Sequence, residues 1–125
     1  MQSLPPHSTI AVIGSGAMGA GIAQVAATAG HQVLLFDTRP DAADKAIAGI
    51  GKTYAKLVEK GRMGAVESAL ARERLKRIAS LHEAAGAALV IEAIVEDLDA
   101  KRALFADLEG IVGERCILAT NTSSI

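Results

Sequence analysis

The chain has 125 residues, half of them hydrophobic, with 13 basic and 14 acidic side chains and a net charge of −1. That length sets a one-domain expectation with room for a sizeable core. The near-neutral charge gives no reason to expect nucleic acid or an anionic membrane as partner.

Only Phe36, Tyr54 and Phe105 are aromatic, so the core must be built from Ala, Val, Ile and Leu. No apolar run reaches membrane-spanning length. The single cysteine, Cys116, cannot form an internal disulfide and reads as a small buried core residue of a cytoplasmic protein. Residues 1–8, with Pro5-Pro6, lack the basic and apolar regions of a secretory signal and read as a short disordered leader. Residues 9–125 are then expected to form one domain.

Ile10 to Ile13 is an apolar, partly β-branched run that predicts a first strand. Gly14-Ser15-Gly16-Ala17-Met18-Gly19 follows, and then an alanine-rich run, Ala20 to Ala29, that predicts a buried helix beginning near Ala17. Strand, glycine turn and helix is the setting in which G-x-G-x-x-G signifies dinucleotide binding. Gly14 permits the tight turn, Gly16 lets backbone approach a pyrophosphate, and Gly19 lets the helix sit close to the sheet. The phosphates would face the helix N-terminus, with its unpaired N–H groups and positive dipole end. Met18 is expected to pack beneath the turn.

Gln32 to Phe36 predicts the second strand, and Asp37 ends it. A carboxylate there accepts hydrogen bonds from the adenosine ribose and repels a 2′-phosphate, which favours NAD over NADP. Arg39 lies two residues on, and arginine is the residue type with which NADP sites accommodate that phosphate.

Pro40 suits the first turn of a long helix reaching about Lys60, with Ala43, Ile47, Ile50, Tyr54 and Leu57 on one face and Gly61 as its C-terminal cap. A more charged helix is expected from about Ala65 to Lys76, then a short strand within 77–81, and a buried strand over Ala87 to Glu92. Next come a helix from about Leu98 to Val112, with Leu104, Leu108 and Ile111 on one side, and a last strand over Cys116 to Ala119. Alternating strands and helices with continuous apolar strands predict a doubly wound parallel α/β sheet, in spatial order 3-2-1-4-5. In that order Gly14 to Gly19, Glu92 to Glu96 and Asn121 to Ser123 converge on one crevice at the switch point. An apolar last strand at the sheet's edge is expected to invite self-association.

The glycine segment extended to Ala23, then Ile91-Glu92-Ala93-Ile94-Val95-Glu96-Asp97 with Lys101, then Thr120-Asn121-Thr122-Ser123-Ser124, resemble the NAD-binding domain of L-3-hydroxyacyl-CoA dehydrogenases of the 3-hydroxybutyryl-CoA dehydrogenase type. The resemblance implies a Rossmann-type domain of an oxidoreductase that converts the 3-hydroxyl of an acyl-CoA to a ketone, with NAD as hydride acceptor and no metal. It implies that Gly14, Ser15, Gly16, Ala17, Met18 and Gly19 cradle the pyrophosphate and that Asp37 holds the adenosine ribose. Glu96 and Lys101 would frame the nicotinamide ribose. Asn121 and Ser123 would lie beside the nicotinamide and the substrate, with Ser123 orienting the reacting hydroxyl. Thr53 and Lys60 match positions that contact CoA. The family's catalytic histidine, its orienting glutamate and a helical C-terminal domain that completes a homodimer are expected beyond Ile125, so residues 1–125 alone are expected to be inactive. Two alternatives remain open from the residues: a stand-alone NAD-sensing module, and a related β-hydroxyacid dehydrogenase.

Overall fold

A computed structural model describes residues 7–39, 41–93, 98–112 and 116–120, with backbone alone at 98–102, 105 and 118–120. Its elements are β1 (Thr9–Ile13), α1 (Ala17–Thr28), β2 (Gln32–Phe36), α2 (Ala42–Glu59), α3 (Ala65–Glu73), β3 (Leu75–Arg77), a 3-10 turn (Leu81–Ala84), β4 (Leu89–Glu92), α4 (Leu98–Ile111) and β5 (Ile117–Thr120). The strands form one parallel sheet in the order β3-β2-β1-β4-β5, as the alternation of elements predicts.

Period-two alternation sends β1 to both faces of this sheet. Ile10 and Val12 join Val33 and Leu35 against the alanine stripe of α1 (Ala23, Ala26, Ala27) and against Ile50 and Tyr54 of α2. Ala11 and Ile13 join Val90 on the opposite face, against Ala84 and Leu108. Small side chains on α1 allow its close seat on the sheet. Both faces are therefore covered, as continuous apolar strands require.

The long helix α2 buries Ala43, Ile50 and Tyr54, with Ile47 and Leu57 half-buried beside them, so the expected apolar face is correct. Gly61 closes it at φ +71°, with Arg62 N–H bonded to the Leu57 carbonyl and Gly61 N–H to that of Val58. That pair is a Schellman closure, in which the left-handed residue is most often glycine. Pro40 lies outside the described residues.

Four expectations need correction. The helix expected to run to Lys76 ends at Glu73, and the third strand is Leu75–Arg77 and not within 77–81. Leu75 is drawn into the sheet opposite Val33, where Val33 N–H bonds the Arg74 carbonyl at 2.8 Å. Cys116 is half-buried, beside the second cluster at the start of β5, and burial pushes its thiol pKa up. Met18 does not pack beneath the turn: it is 60 % exposed. Gly19 and Ala23 hold the inward face of α1, and Met18, one residue round the helix from Gly19, points away.

At the opposite, N-terminal edge of the sheet, His7 Nδ1–H donates to the Gly30 carbonyl and His31 Nδ1–H to that of Ser8, each at 3.0 Å.

Candidate cofactor site

Along the C-terminal edge of the sheet the strand ends bring up, in spatial order, Arg77, Asp37, Gly14, Glu92 and Thr120. Gly14 leaves β1 at φ +105°, a conformation that L side chains rarely adopt, and its N–H reaches the Phe36 carbonyl at 2.7 Å. The turn then doubles back so tightly that a Cβ on Gly19 would stand 1.8 Å from the Gly14 carbonyl oxygen. Glycine is obligatory there on steric grounds alone.

Gly16 is different. It caps α1 from an extended conformation that any residue could adopt, φ −65° and ψ −172°, and a Cβ on it would meet nothing within 4 Å. Its absent side chain leaves open the space above the helix N-terminus. The first intrahelical bond runs from Ala20 N–H to the Gly16 carbonyl, so the N–H groups of 17–19 precede the ladder. No acidic side chain occupies the first turn. These features suit a diphosphate: donors, the positive dipole end, and room for oxygens to approach backbone.

Asp37 stands beside this turn with a side chain only 7 % exposed. Its Oδ2 accepts from Ser15 N–H at 2.8 Å and from Ser15 Oγ–H at 2.7 Å. Its Oδ1 accepts from the Arg39 N–H at 2.9 Å and from Arg39 Nε–H at 3.2 Å. Burial by itself would raise the carboxyl pKa, but the donors of Arg39 and Ser15 outweigh it and hold the group well below the usual carboxylate range. Asp37 is a fixed anion at neutral pH. The role of Ser15, which ties turn to carboxylate, is not part of the glycine motif; its only sequence signal is a hydroxyl at the turn's second position.

Glu92 is fully buried at the end of β4, on the other side of Gly14. Thr53 lies on the wall of a groove of about 530 Å³ between α1 and α2, which it shares with Gly16, Gln24, Arg39 and Lys45. Its Oγ–H is bonded back to the Gly49 carbonyl at 3.2 Å. Lys60 lies just past the end of α2 and does not line that groove. Glu96, Asn121 and Ser123 lie outside the described residues, and of Lys101 only the backbone, in α4, is described.

A parallel sheet in this order, with a glycine turn at its switch point and a carboxylate ending the next strand, defines a dinucleotide-binding domain. Comparison with known proteins narrows the class. Residues 9–125 match the family described as 3-hydroxyacyl-CoA dehydrogenase, NAD binding domain, and the chain belongs to that family. It is 48% identical over 117 residues to a 3-hydroxyadipyl-CoA dehydrogenase of Escherichia coli, covering 94% of this chain and 25% of that protein. It is 41% identical to a probable 3-hydroxybutyryl-CoA dehydrogenase of Bacillus subtilis, covering 93% of this chain and 40% of the relative. The crystal structure of 3-hydroxybutyryl-CoA dehydrogenase from Escherichia coli superposes with a TM-score of 0.93 at 46% identity, over 97% of this chain and 26% of that one. The chain thus spans between a quarter and two-fifths of the length of these relatives. NAD is the family's cofactor, and the turn and carboxylate described above fit it.

Proposed function

We propose that the chain is the cofactor-binding part of an NAD-dependent dehydrogenase that oxidises the 3-hydroxyl of an acyl-CoA to the 3-ketoacyl-CoA. The observation that carries the reading is the pairing of the Gly14–Gly19 turn with the buried Asp37 anion at one edge of the sheet. NAD supplies the hydride acceptor. Gly14, Ser15, Gly16, Ala17, Met18 and Gly19 hold its pyrophosphate, and Asp37 accepts from the adenosine ribose hydroxyls.

The remaining roles follow the family resemblance. Glu96 and Lys101 flank the nicotinamide ribose, Asn121 borders the nicotinamide, and Ser123 orients the substrate hydroxyl. Thr53, on the groove next to Gly16, and Lys60, about two helical turns further along, hold the CoA moiety; an ammonium suits its phosphates as a point charge. The enzyme acts in the cytoplasm, in fatty-acid metabolism, as a homodimer.

Oxidising the alcohol also requires a base for the hydroxyl proton. His7 and His31 lie at the N-terminal edge of the sheet, opposite the crevice, and His82 lies in the 3-10 turn after β3. The family resemblance supplies that base as a histidine oriented by a glutamate, a position that none of these three histidines matches.

The 125-residue chain is expected to bind NADH and to show no reduction of acetoacetyl-CoA above background, whereas a longer protein carrying the second domain turns over. Calorimetric titration with NADH and an absorbance assay at matched concentrations test both halves. Absence of NADH binding overturns the cofactor reading, and substantial turnover by residues 1–125 overturns the assignment of the base.

A further inference from the structure

Both donors of Ser15 are committed to Asp37. A serine has one N–H and one O–H to give, and at 2.8 and 2.7 Å both go to Oδ2 of that carboxylate. Because Asp37 is ionised at neutral pH, the hydroxyl is the donor in the shorter bond. Neither donor is left for a phosphate oxygen. An anionic oxygen brought up to Ser15 Oγ would meet lone pairs and be repelled. Ser15 is buried, yet it lines the groove above the helix N-terminus together with Gly16 and Ala17.

What the hydroxyl retains is acceptor capacity. Among the described residues its one hydrogen bond is the one it donates to Asp37, so its lone pairs are open to a ligand. The carboxylate oxygen behind it is crowded. Besides the two Ser15 donors, Arg39 Nη2–H reaches Oδ2 at 3.3 Å, whereas one carboxylate oxygen offers about two lone-pair sites. A sugar hydroxyl arriving at this corner therefore finds its acceptor in Ser15 Oγ. The resulting chain runs from ribose O–H to Oγ–H to Oδ2, and the carboxylate charge polarises the serine and strengthens its acceptor oxygen.

We infer that Ser15 belongs to the ribose subsite: its Oγ accepts a hydroxyl of the adenosine ribose and relays that bond to Asp37, while contact with the diphosphate begins at Gly16. The inference rests on reading the crevice as the dinucleotide site, and within that reading it moves one residue of the glycine turn from phosphate to sugar. The turn thereby gains a second task. Ser15 N–H and Oγ–H hold Oδ2 from the turn itself, so the sugar and diphosphate subsites keep one register.

The test is displacement of NADH by ADP and by 2′,3′-dideoxy-ADP, followed by fluorescence up to millimolar ligand, on wild type, Ser15→Ala and Gly16→Ala. Circular dichroism verifies folding. Wild type is expected to bind ADP about tenfold more tightly than the dideoxy ligand. Ser15→Ala should weaken ADP about fivefold, the worth of one hydrogen bond, and leave the dideoxy ligand within about twofold of wild type. Gly16→Ala crowds the diphosphate and not the sugar, so it should weaken the two ligands alike. The inference is overturned if Ser15→Ala also weakens both ligands equally, which would put its hydroxyl on the phosphates, or if it weakens neither. Failure of wild type to bind NADH or ADP would remove the reading of the crevice, and the inference with it.

Discussion

Gly16 and Gly19, three residues apart in the sequence, do unrelated work in three dimensions, and substitution separates them. A methyl group on Gly19 collides with the Gly14 carbonyl, which no side-chain adjustment can relieve. Gly19→Ala is expected to destabilise the fold by about 3 kcal/mol or more, lowering Tm by about 10 °C. Gly16→Ala meets open space and an allowed backbone, so stability should change by no more than about 0.5 kcal/mol. Its methyl occupies the room a diphosphate needs, and NADH binding should weaken by about tenfold or more. Thermal melts and NADH titrations of the two variants test this; equal melting losses would sink the distinction. Asp37 gives a pH prediction of definite sign. Its pKa is depressed in the folded chain, so its contribution to stability is present above the unfolded carboxylate value of 3.8 and fades as pH falls below it. Asp37→Asn should therefore flatten the acid limb of a stability–pH profile and leave the slope above about pH 5 unchanged. Asp37 and the glycines were legible because motif spacing encodes them. The Ser15–Asp37–Arg39 cluster was not, since those hydrogen bonds depend on how β1 and β2 align.

Helices and strands were legible in proportion to how much of their boundary is written in local chemistry. The Gly61 closure of α2 and the apolar run of β1 carry their own signals, and both lie where expected. The passage from α3 to β3 has no glycine or proline to mark it. It is set by distant partners: Arg74 donates from Nη1 to the Ala27 carbonyl at 2.9 Å, capping the end of α1, while Leu75 enters the sheet beside Val33. Tertiary contacts thus end a helix whose charged pattern would continue. The same lesson explains Met18, because the buried stripe Gly19, Ala23, Ala26 and Ala27 excludes it from the inner face, although an apolar residue invites the opposite reading. The coupling of α1 to α2 runs through Tyr54, which is fully buried and donates to the Gln24 carbonyl at 3.0 Å with Thr28 Oγ1 2.9 Å away. Tyr54→Phe should cost about 1 kcal/mol, because Thr28 Oγ–H still serves the Gln24 carbonyl. Tyr54→Ala should cost about 3–5 kcal/mol by leaving a cavity. Chemical denaturation of both variants measures the difference, and a Tyr54→Phe loss as large as that of Tyr54→Ala would show that the hydroxyl, not the ring, joins the helices.

At the scale of the whole sheet, the order of strands leaves two edges, and their sequences treat the exposure differently. The β3 edge is three residues long and carries Lys76 and Arg77, both exposed. Short length and positive charge are the usual protections against pairing with another chain. The β5 edge is Ile-Leu-Ala-Thr, without a charge, and among the described residues it pairs on one side only, with β4. Ile117 at its start is 49 % exposed. A second apolar surface adds to this on the helical face, where Met18 and Val25 of α1 are 60 % and 70 % exposed. Contiguous apolar exposure and an unprotected strand edge both favour association. The 125-residue chain is therefore expected to self-associate with rising concentration through the β5 edge. Ile117→Lys places on that edge the protection that β3 already carries, and it should shift the population toward monomer without lowering Tm. Light scattering coupled to size exclusion over a wide concentration range, on both proteins, separates the outcomes. A wild-type chain that stays monomeric throughout would show that the β5 edge is not available for pairing. Association undiminished by Ile117→Lys, but reduced by Val25→Lys, would move the contact to the exposed stripe of α1.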